Sequence, residues 1–156
     1  MSQSPLTFDS VGILASQRNR YPLLFVDRIV EAVPGKSAIG IKNFTYNEWF
    51  FPAHYDDDPN VPGFILVEAM VQTFIMTFLS QEEYKGSKTN FVGLDKVKFR
   101  RKIIPGDTLK ITAELDSFKR GLAKGRAEAT VDGEYACGAH FTVSVPGVFD
   151  KFIPKK

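Results

Sequence analysis

The chain has 156 residues, a single cysteine and a formal net charge of +2. One cysteine excludes an intrachain disulfide, and so small a net charge gives no support for nucleic-acid binding by the chain as a whole. Hydrophobic residues make up 44% and charged residues 24%, which is typical of a globular domain that buries a core without disulfides or metal. We therefore expect one domain covering residues 1–156, in a reducing compartment such as the cytoplasm.

The first half of the chain predicts a short helix, two strands and a long loop. Phe8–Ser16 favours the helix, and we do not expect a signal peptide because Met1–Ser10 has neither a basic region nor an apolar run. Leu23–Val33 and Ser37–Phe44 predict strands of a hairpin, because Pro34 and Gly35 mark a turn between them. Asn47–Pro62 is an aromatic-rich loop, and loops of this length are uncommon without a function.

The second half predicts one apolar helix followed by strands. The helix begins at Pro62-Gly63 and continues to Leu79, and because it is apolar on nearly every side it should be buried rather than cross a membrane. The predicted strands are Phe91–Ile104, Leu109–Lys119, Gly125–Val131 and Glu134–Val145. An antiparallel sheet wrapped around one buried helix is an α+β arrangement, the hot-dog fold. Its exposed edges predict dimerisation.

Two polar residues are hard to explain by packing alone. His54 lies in the aromatic loop, and Glu68 lies among apolar residues of the helix. A buried carboxylate costs several kcal/mol unless it is paired or protonated. The alternatives are a structural histidine for His54 and a solvated helix face for Glu68.

Gly63 at the start of the helix adds a third element. The first turn of a helix has free N–H groups and the positive end of the dipole, and a glycine lets a ligand approach the backbone closely. A thioester carbonyl bound there would have a more acidic α-carbon. A neutral His54 could then remove the α-proton, and a protonated Glu68 could donate to a leaving β-hydroxyl.

Residues His54–Gln72 resemble the active-site signature of the FabZ family, the 3-hydroxyacyl-[acyl-carrier-protein] dehydratases. That signature runs G-H-F-x-x-x-P-x-x-P-G, four residues, then E-A-M-A-Q. Arg20–Arg28, Gly93–Arg101 and Pro105–Asp107 are similar to further blocks of the family, so the resemblance spans about residues 12–146.

The resemblance implies dehydration of a 3-hydroxyacyl thioester on acyl carrier protein, with His54 as base, Glu68 as acid and the Gly63 amide on the carbonyl. It also implies a homodimer in which His54 and Glu68 of one site come from different subunits, and many members assemble further as trimers of dimers. No cofactor is implied. Two histidines and one cysteine at scattered positions predict no metal site either.

The chain departs from the family after the acid. Thr73, Phe74 and Ile75 stand where the family usually has small residues. The face that carries Glu68 also carries Gln72 and Ile75. We therefore expect Ile75 to face the acyl tunnel and Phe74 to lie at the sheet or a dimer contact. The alternative is that all three departing residues only fill the core. The expected tunnel lining is Phe64, Gln72 and Ile75.

Further departures precede the helix. Ala53 and Tyr55 flank His54 where the family has Gly and Phe, Asp56–Asp58 is unusually acidic, and Asn19 replaces a histidine. These leave open a specialised pathway, such as polyene or polyketide assembly, beside housekeeping fatty-acid synthesis.

A basic stretch contains Lys96, Lys98, Arg100 and Arg101. It is either a solvated strand face or a docking site for an acidic carrier protein, and it lacks a nucleic-acid-binding motif. Two other functions stay open at this point. One is an acyl thioesterase of the same fold, which would direct a carboxylate and water at the carbonyl. The other is a non-catalytic acyl-carrier-binding module.

Overall fold

The structure is a computed structural model that describes residues 4–156. Its strands are β1 Leu6–Phe8, β2 Arg28–Val33, β3 Ser37–Asn43, β4 Asn90–Phe99, β5 Thr108–Lys119, β6 Leu122–Val131 and β7 Glu134–Ser144. Its helices are α1 Ser10–Ser16, α2 Gly63–Leu79 and α3 Pro146–Phe149, with a 3₁₀ turn at Asp150–Phe152. The strands form one antiparallel sheet in the order β1-β2-β3-β5-β6-β7-β4. Met1–Gln3, part of the stretch considered for a signal peptide, lies outside the described residues.

Helix α2 packs across the sheet and is the centre of the core. Of its 17 residues, 13 are buried, and it contacts β2, β3, β5, β6 and β7. Each large apolar side chain that is fully buried contributes roughly 1.5–3 kcal/mol to stability. The predicted sheet around one buried helix is confirmed, and the architecture is that of the hot-dog fold.

Two glycines of the sheet allow α2 to approach closely. A Cβ on Gly125 would lie 2.5 Å from a ring carbon of Phe74, and a Cβ on Gly40 would overlap the side chain of Thr73. Phe74 also stacks on Phe141 of β7, with ring centroids 5.6 Å apart. Thr73 and Phe74 therefore point into the sheet, which is one of the two positions expected for Phe74.

The predicted strand Leu23–Val33 is wrong in its first part, because β2 begins only at Arg28. The backbone N–H of Phe25 donates to Oε1 of Gln72 at 2.6 Å, and the carbonyl of Leu23 accepts from Nε2 of Gln72 at 2.7 Å. This segment therefore bonds to a side chain of α2 instead of joining a strand.

The predicted strand Phe91–Ile104 also ends early, at Phe99. Beyond it, the carbonyl of Ile103 accepts a hydrogen bond from the backbone N–H of Val61 at 2.8 Å. The chain therefore leaves the sheet and runs beside the loop that precedes α2. This detour brings the basic segment after β4 close to His54.

The remaining differences lie near the ends of the chain. The predicted helix Phe8–Ser16 begins at Ser10, where the Asp9 side chain accepts a hydrogen bond from the first turn. The predicted strand Gly125–Val131 begins earlier, at Leu122. Strand β1 and helix α3 were not predicted, because each is shorter than the period that a sequence pattern needs. Within residues 4–156, no helix is long and apolar enough to cross a membrane.

Candidate active site

His54 projects from the aromatic loop between β3 and α2, and buried rings anchor that loop. Phe50 and Phe51 are 1% and 0% exposed, and their ring centroids lie 4.9 Å apart. His54 itself is half-buried. The rings hold the backbone from which the imidazole extends, and this explains why the loop is rich in phenylalanine.

A backbone carbonyl orients the imidazole. Nδ1 of His54 lies 2.9 Å from the carbonyl oxygen of Asn60. A carbonyl oxygen can only accept, so Nδ1 of the neutral ring carries the proton and Nε2 presents its lone pair. His54 is therefore prepared to accept a proton through Nε2.

A cavity of about 370 Å³, here called the His54 cavity, opens beside this ring. Its lining comes from the loop, the start of α2 and the segment after β4: His54, Asn60, Val61, Gly63, Leu66, Phe99, Arg100, Arg101, Lys102 and Ile103. The imidazole and the amino end of the helix thus face one cavity.

Gly63 is the first residue of α2 and borders the His54 cavity. The N–H groups of a first helical turn have no partners within the helix. The ring of Phe99 packs so closely on Gly63 that a Cβ would lie 3.1 Å from its Cζ, which favours glycine here. The arrangement can bind and polarise a carbonyl oxygen.

Glu68 is half-buried on α2, and its carboxylate is held by Gln72 one turn later. Oε1 of Glu68 accepts a hydrogen bond from Nε2 of Gln72 at 2.8 Å. Gln72 is 0% exposed, and its amide also bonds to the backbone of Leu23 and Phe25. Gln72 therefore fixes the carboxylate to a rigid part of the fold.

Glu68 borders a smaller cavity of about 70 Å³, here called the Glu68 cavity. Its lining residues are Asn19, Glu68, Val71, Gln72, Ile75, Thr89, Asn90, Phe91 and Val143. His54 is not among them, and Glu68 does not line the His54 cavity. Within one protomer the two candidate catalytic groups do not meet in one cavity.

Comparisons with known proteins identify the family of this chain. The FabA-like domain family matches residues 18–140. The chain is 48% identical over 118 residues to the 3-hydroxyacyl-[acyl-carrier-protein] dehydratase FabZ of Acetivibrio thermocellus, covering 76% of this chain and 81% of that protein. It is 47% identical over 130 residues to the FabZ of Caldicellulosiruptor saccharolyticus, covering 83% and 93%. The chain belongs to the FabZ family of dehydratases.

A solved structure shows the same fold as this FabZ-family chain. The dehydratase heterocomplex ApeI:P from Xenorhabdus doucetiae superposes with a TM-score of 0.74, covering 92% of this chain and 97% of that one. The two sequences are 14% identical, so this likeness bears on the fold alone.

The three expected tunnel residues lie in different environments. Phe64 is 66% exposed on the first turn of α2, whereas Ile75 is 3% exposed and lines the Glu68 cavity. Gln72 also borders that cavity, but its amide is engaged with Glu68 and the backbone. The tunnel assignment remains a prediction, and Ile75 is the residue best placed for it.

The expected docking residues do not form one patch. Arg100 and Arg101 border the His54 cavity, whereas Lys96 and Lys98 border a separate surface cavity over β6 and β7. Arg101 is also engaged: its guanidinium donates to Glu134 at 3.2 Å. Arg100 is therefore the member of the set best placed to meet a ligand at His54.

Two site features were missed from the sequence. The Asn60 carbonyl that orients His54 left no signal, because every residue offers a carbonyl. Asn19 lines the Glu68 cavity, and its Nδ2 donates to Oε1 of Gln17 at 2.7 Å. Asn19 stands where the family has a histidine, but nothing in the sequence indicates that it lies beside Glu68.

Among residues 4–156, no group of three or more His, Cys, Asp or Glu side chains could hold a metal ion. The groups that line the two cavities offer proton transfer at His54 and Glu68 and a hydrogen-bond donor at Gly63.

Proposed function

We propose that the chain removes water from a 3-hydroxyacyl thioester on acyl carrier protein and releases the trans-2-enoyl thioester. Membership of the FabZ family makes it a dehydratase, a hydro-lyase of fatty-acid synthesis. We assign His54 as the base, Glu68 as the acid and the Gly63 amide as the donor to the thioester carbonyl. Residues 1–156 form the single dehydratase domain of this proposal.

The proposed reaction needs one proton removed and one delivered. Nε2 of His54 takes the proton from the α-carbon, and the electron pair of that C–H bond forms the new double bond between the α- and β-carbons. The bond from the β-carbon to the hydroxyl oxygen breaks, and Glu68 protonates that oxygen, so that water leaves. The Gly63 amide stabilises the negative charge that develops on the carbonyl oxygen.

One observation carries the assignment. The His54 imidazole, with its proton held on Nδ1 by the Asn60 carbonyl, shares a cavity with the amino end of α2 at Gly63. A base and an oxyanion donor facing one cavity are what α-proton abstraction from a thioester requires.

The separation of the two cavities supports a homodimer with shared sites. Strand β4 is an edge of the sheet, and nine of its ten residues are exposed. Val92 and Leu94 are 59% and 46% exposed, and Phe91 borders the Glu68 cavity. A long edge strand with exposed apolar side chains favours pairing with another chain. A second copy on β4 would let His54 of one subunit face Glu68 of the other.

We assign docking of the carrier protein to the basic residues along and after β4, which are Lys96, Lys98, Arg100 and Arg101. Their charge would attract an acidic partner and steer its approach.

The larger assembly in this proposal is formed by three of the homodimers described above. We place the reaction in the cytoplasm, and the departures around Tyr55 and Thr73–Ile75 favour short or medium acyl groups in a housekeeping or a specialised pathway.

The function is tested with 3-hydroxybutyryl and crotonyl thioesters of N-acetylcysteamine. We expect enoyl absorbance to rise with the first substrate and fall with the second, with no free thiol released. Free thiol without enoyl chemistry would identify a thioesterase. Binding of acyl carrier protein without either change would identify a non-catalytic module.

A further inference from the structure

A third cavity lies beneath the C-terminal segment. It measures about 440 Å³, within the range of roughly 300–1,000 Å³ typical of small-molecule sites. We call it the C-terminal cleft, and its lining residues are Arg18, Glu83, Tyr84, Gly86, Ser87, Lys88, Val145, Pro146, Gly147, Val148 and Lys151. None of them lines the His54 cavity or the Glu68 cavity.

A wall of two hydrogen-bonded segments separates the cleft from the Glu68 cavity. Nε of Arg18 donates to the carbonyl of Gly86 at 2.8 Å, and this bond joins the segments. Arg18 and Lys88 line the cleft, whereas their chain neighbours Asn19 and Thr89 line the Glu68 cavity. The cleft is therefore a separate site and not an extension of the acyl tunnel.

The C-terminal side of the cleft, formed by residues 145–151 and here called the roof, is fixed to the sheet. The backbone N–H of Val145 donates to the carbonyl of Gly121 at 2.7 Å. Gly121 lies so close to Phe149 that a Cβ would be 2.5 Å from the Phe149 backbone nitrogen. The roof begins after residue 140, where the match to the family domain ends. The cleft therefore lies between residues inside that match, such as Arg18 and Tyr84, and a C-terminal segment outside it.

The lining of the cleft is positively charged. Arg18, Lys88 and Lys151 contribute three cations, and Glu83 contributes one anion. Arg18 donates one N–H to the carbonyl of Gly86, and because a guanidinium has five N–H donors, others remain to bind a ligand. Across the described residues, neither Lys88 nor Lys151 takes part in an ion pair. Three cations among the lining residues of one concave surface favour an anionic ligand.

The other side chains suit an apolar or aromatic body. Tyr84 lines the cleft and is half-buried, and its ring packs edge-on against Phe118 with centroids 4.8 Å apart. Val145 and Val148 lie on the roof side. Burial raises the pKa of Tyr84, followed by the charge of Glu83 and the hydrogen bond between the two side chains.

We propose that the C-terminal cleft binds a small organic anion in which a phosphate group is joined to an aromatic or apolar body, such as a nucleoside monophosphate. Lys88, Lys151 and the free N–H groups of Arg18 hold the phosphate, and Tyr84 packs on the body. The site is independent of the dehydratase function.

Calorimetric titration of the full chain with adenosine 5′-monophosphate, adenosine and inorganic phosphate tests this site. We expect the nucleotide to bind with a Kd of about 1 mM or tighter and to weaken with salt, and the two fragments to bind at least about tenfold more weakly. Lys88→Glu combined with Lys151→Glu should weaken the nucleotide at least about tenfold. Lys110→Glu combined with Lys124→Glu changes the net charge equally on exposed strand positions and should not.

Absence of nucleotide binding would overturn the proposal, as would equal losses in the two charge-reversal pairs, because equal losses mean attraction by net charge alone. His54→Ala and Glu68→Gln serve as further controls. Both should bind the nucleotide as the wild type does, and weaker binding in either would place the nucleotide in the active site instead.

Discussion

At the scale of single residues, both candidate catalytic groups are oriented by neutral partners. The Asn60 carbonyl holds Nδ1 of His54, and the Gln72 amide holds Oε1 of Glu68. Each hydrogen bond fixes the orientation of its group without placing a second charge beside it. This suits the proposed reaction, in which both groups must meet the substrate in a defined geometry.

The first prediction concerns these two groups directly. His54→Ala and Glu68→Gln should each lower kcat by about 10²–10⁴-fold, because each removes one proton-transfer step, and both should keep the far-UV spectrum and dimer mass of the wild type. Steady-state dehydration assays measure the loss. Mixing the two inactive variants under subunit exchange should restore part of the activity if sites are shared. A near wild-type rate in either variant would contradict the assigned role.

The second prediction concerns Gln72 as a positioning residue. Gln72→Leu roughly keeps the side-chain volume but leaves the buried N–H of Phe25 unpaired, at a cost of about 1–3 kcal/mol, and also removes the part-buried hydrogen bond to the Leu23 carbonyl. We expect a lower free energy of unfolding in urea, together with a fall in kcat smaller than that of Glu68→Gln. Gln81→Leu, a half-buried glutamine just beyond α2, is the matched control. Unchanged kcat in folded Gln72→Leu would show that Gln72 does not position the acid.

At the scale of elements, helix α2 combines structural and chemical roles on different faces. Thr73 and Phe74 pack into glycine positions of the sheet, while Glu68 and Ile75 face the small cavity. The departures from the family therefore have different consequences. Those on the sheet face fill the core, and Ile75 lines the Glu68 cavity.

The third prediction is that Ile75 restricts acyl length. The wild type should prefer short or medium chains, because each methylene that finds no room forfeits about 0.8 kcal/mol of binding. Ile75→Gly should extend the profile, and Ile75→Ala, which avoids the helix penalty of about 1 kcal/mol for glycine, should extend it in the same direction. Measuring kcat/KM from butyryl to palmitoyl substrates decides the matter. Efficient turnover of palmitoyl substrate by the wild type would contradict a restriction of acyl length by Ile75.

The fourth prediction concerns edge strand β4. Replacing Val92 and Leu94 with lysine should produce a folded monomer without dehydratase activity, because charges on an edge prevent pairing with a second copy. Light scattering after gel filtration reports the mass. Val30→Lys, at a residue that is 40% exposed on β2, is the matched control and should stay dimeric. A lysine variant of β4 that remains a dimer would place the interface elsewhere.

At the scale of the whole molecule, charge is distributed unevenly although the net charge is only +2. Basic residues border the His54 cavity and line the C-terminal cleft. Elsewhere on the surface, basic residues are paired with acidic ones, as Arg126 is with Glu114 and Asp116. These acids raise the pKa of Arg126, Asp116 most strongly through its hydrogen bond. Local fields of this kind guide partners more than net charge does.

The fifth prediction concerns carrier docking. Lys96→Glu combined with Lys98→Glu should raise KM for carrier-bound substrate and leave KM for N-acetylcysteamine substrate nearly unchanged, because both lysines lie outside the His54 cavity and the small thiol carries no carrier protein. Added salt should raise the carrier-bound KM of the wild type. Arg100 and Arg101 are left out of the variant because both border the His54 cavity, where a charge reversal would also affect the small substrate. A carrier-bound KM insensitive to both changes would place docking elsewhere.

Local sequence patterns predicted the central helix, most strands and the catalytic candidates. Gly63 to Leu79 was predicted with its observed bounds, because an apolar run that follows Pro-Gly needs no distant information. The bend before β2 was missed, because it depends on a hydrogen bond between Phe25 and Gln72, 47 residues apart. Hydrophobic patterns report burial, and they do not report which polar group pairs with a distant backbone.

By itself, the sequence determined the kind of chemistry. His54, Gly63 and Glu68 stand at the family spacing, and residue type with spacing along a helix and its leading loop are local properties. Tertiary structure decided how the candidate residues are arranged. It placed His54 and Glu68 in separate cavities, exposed the apolar residues of β4 and formed the C-terminal cleft. These features depend on packing between segments far apart in the chain, and only the folded molecule brings those segments together.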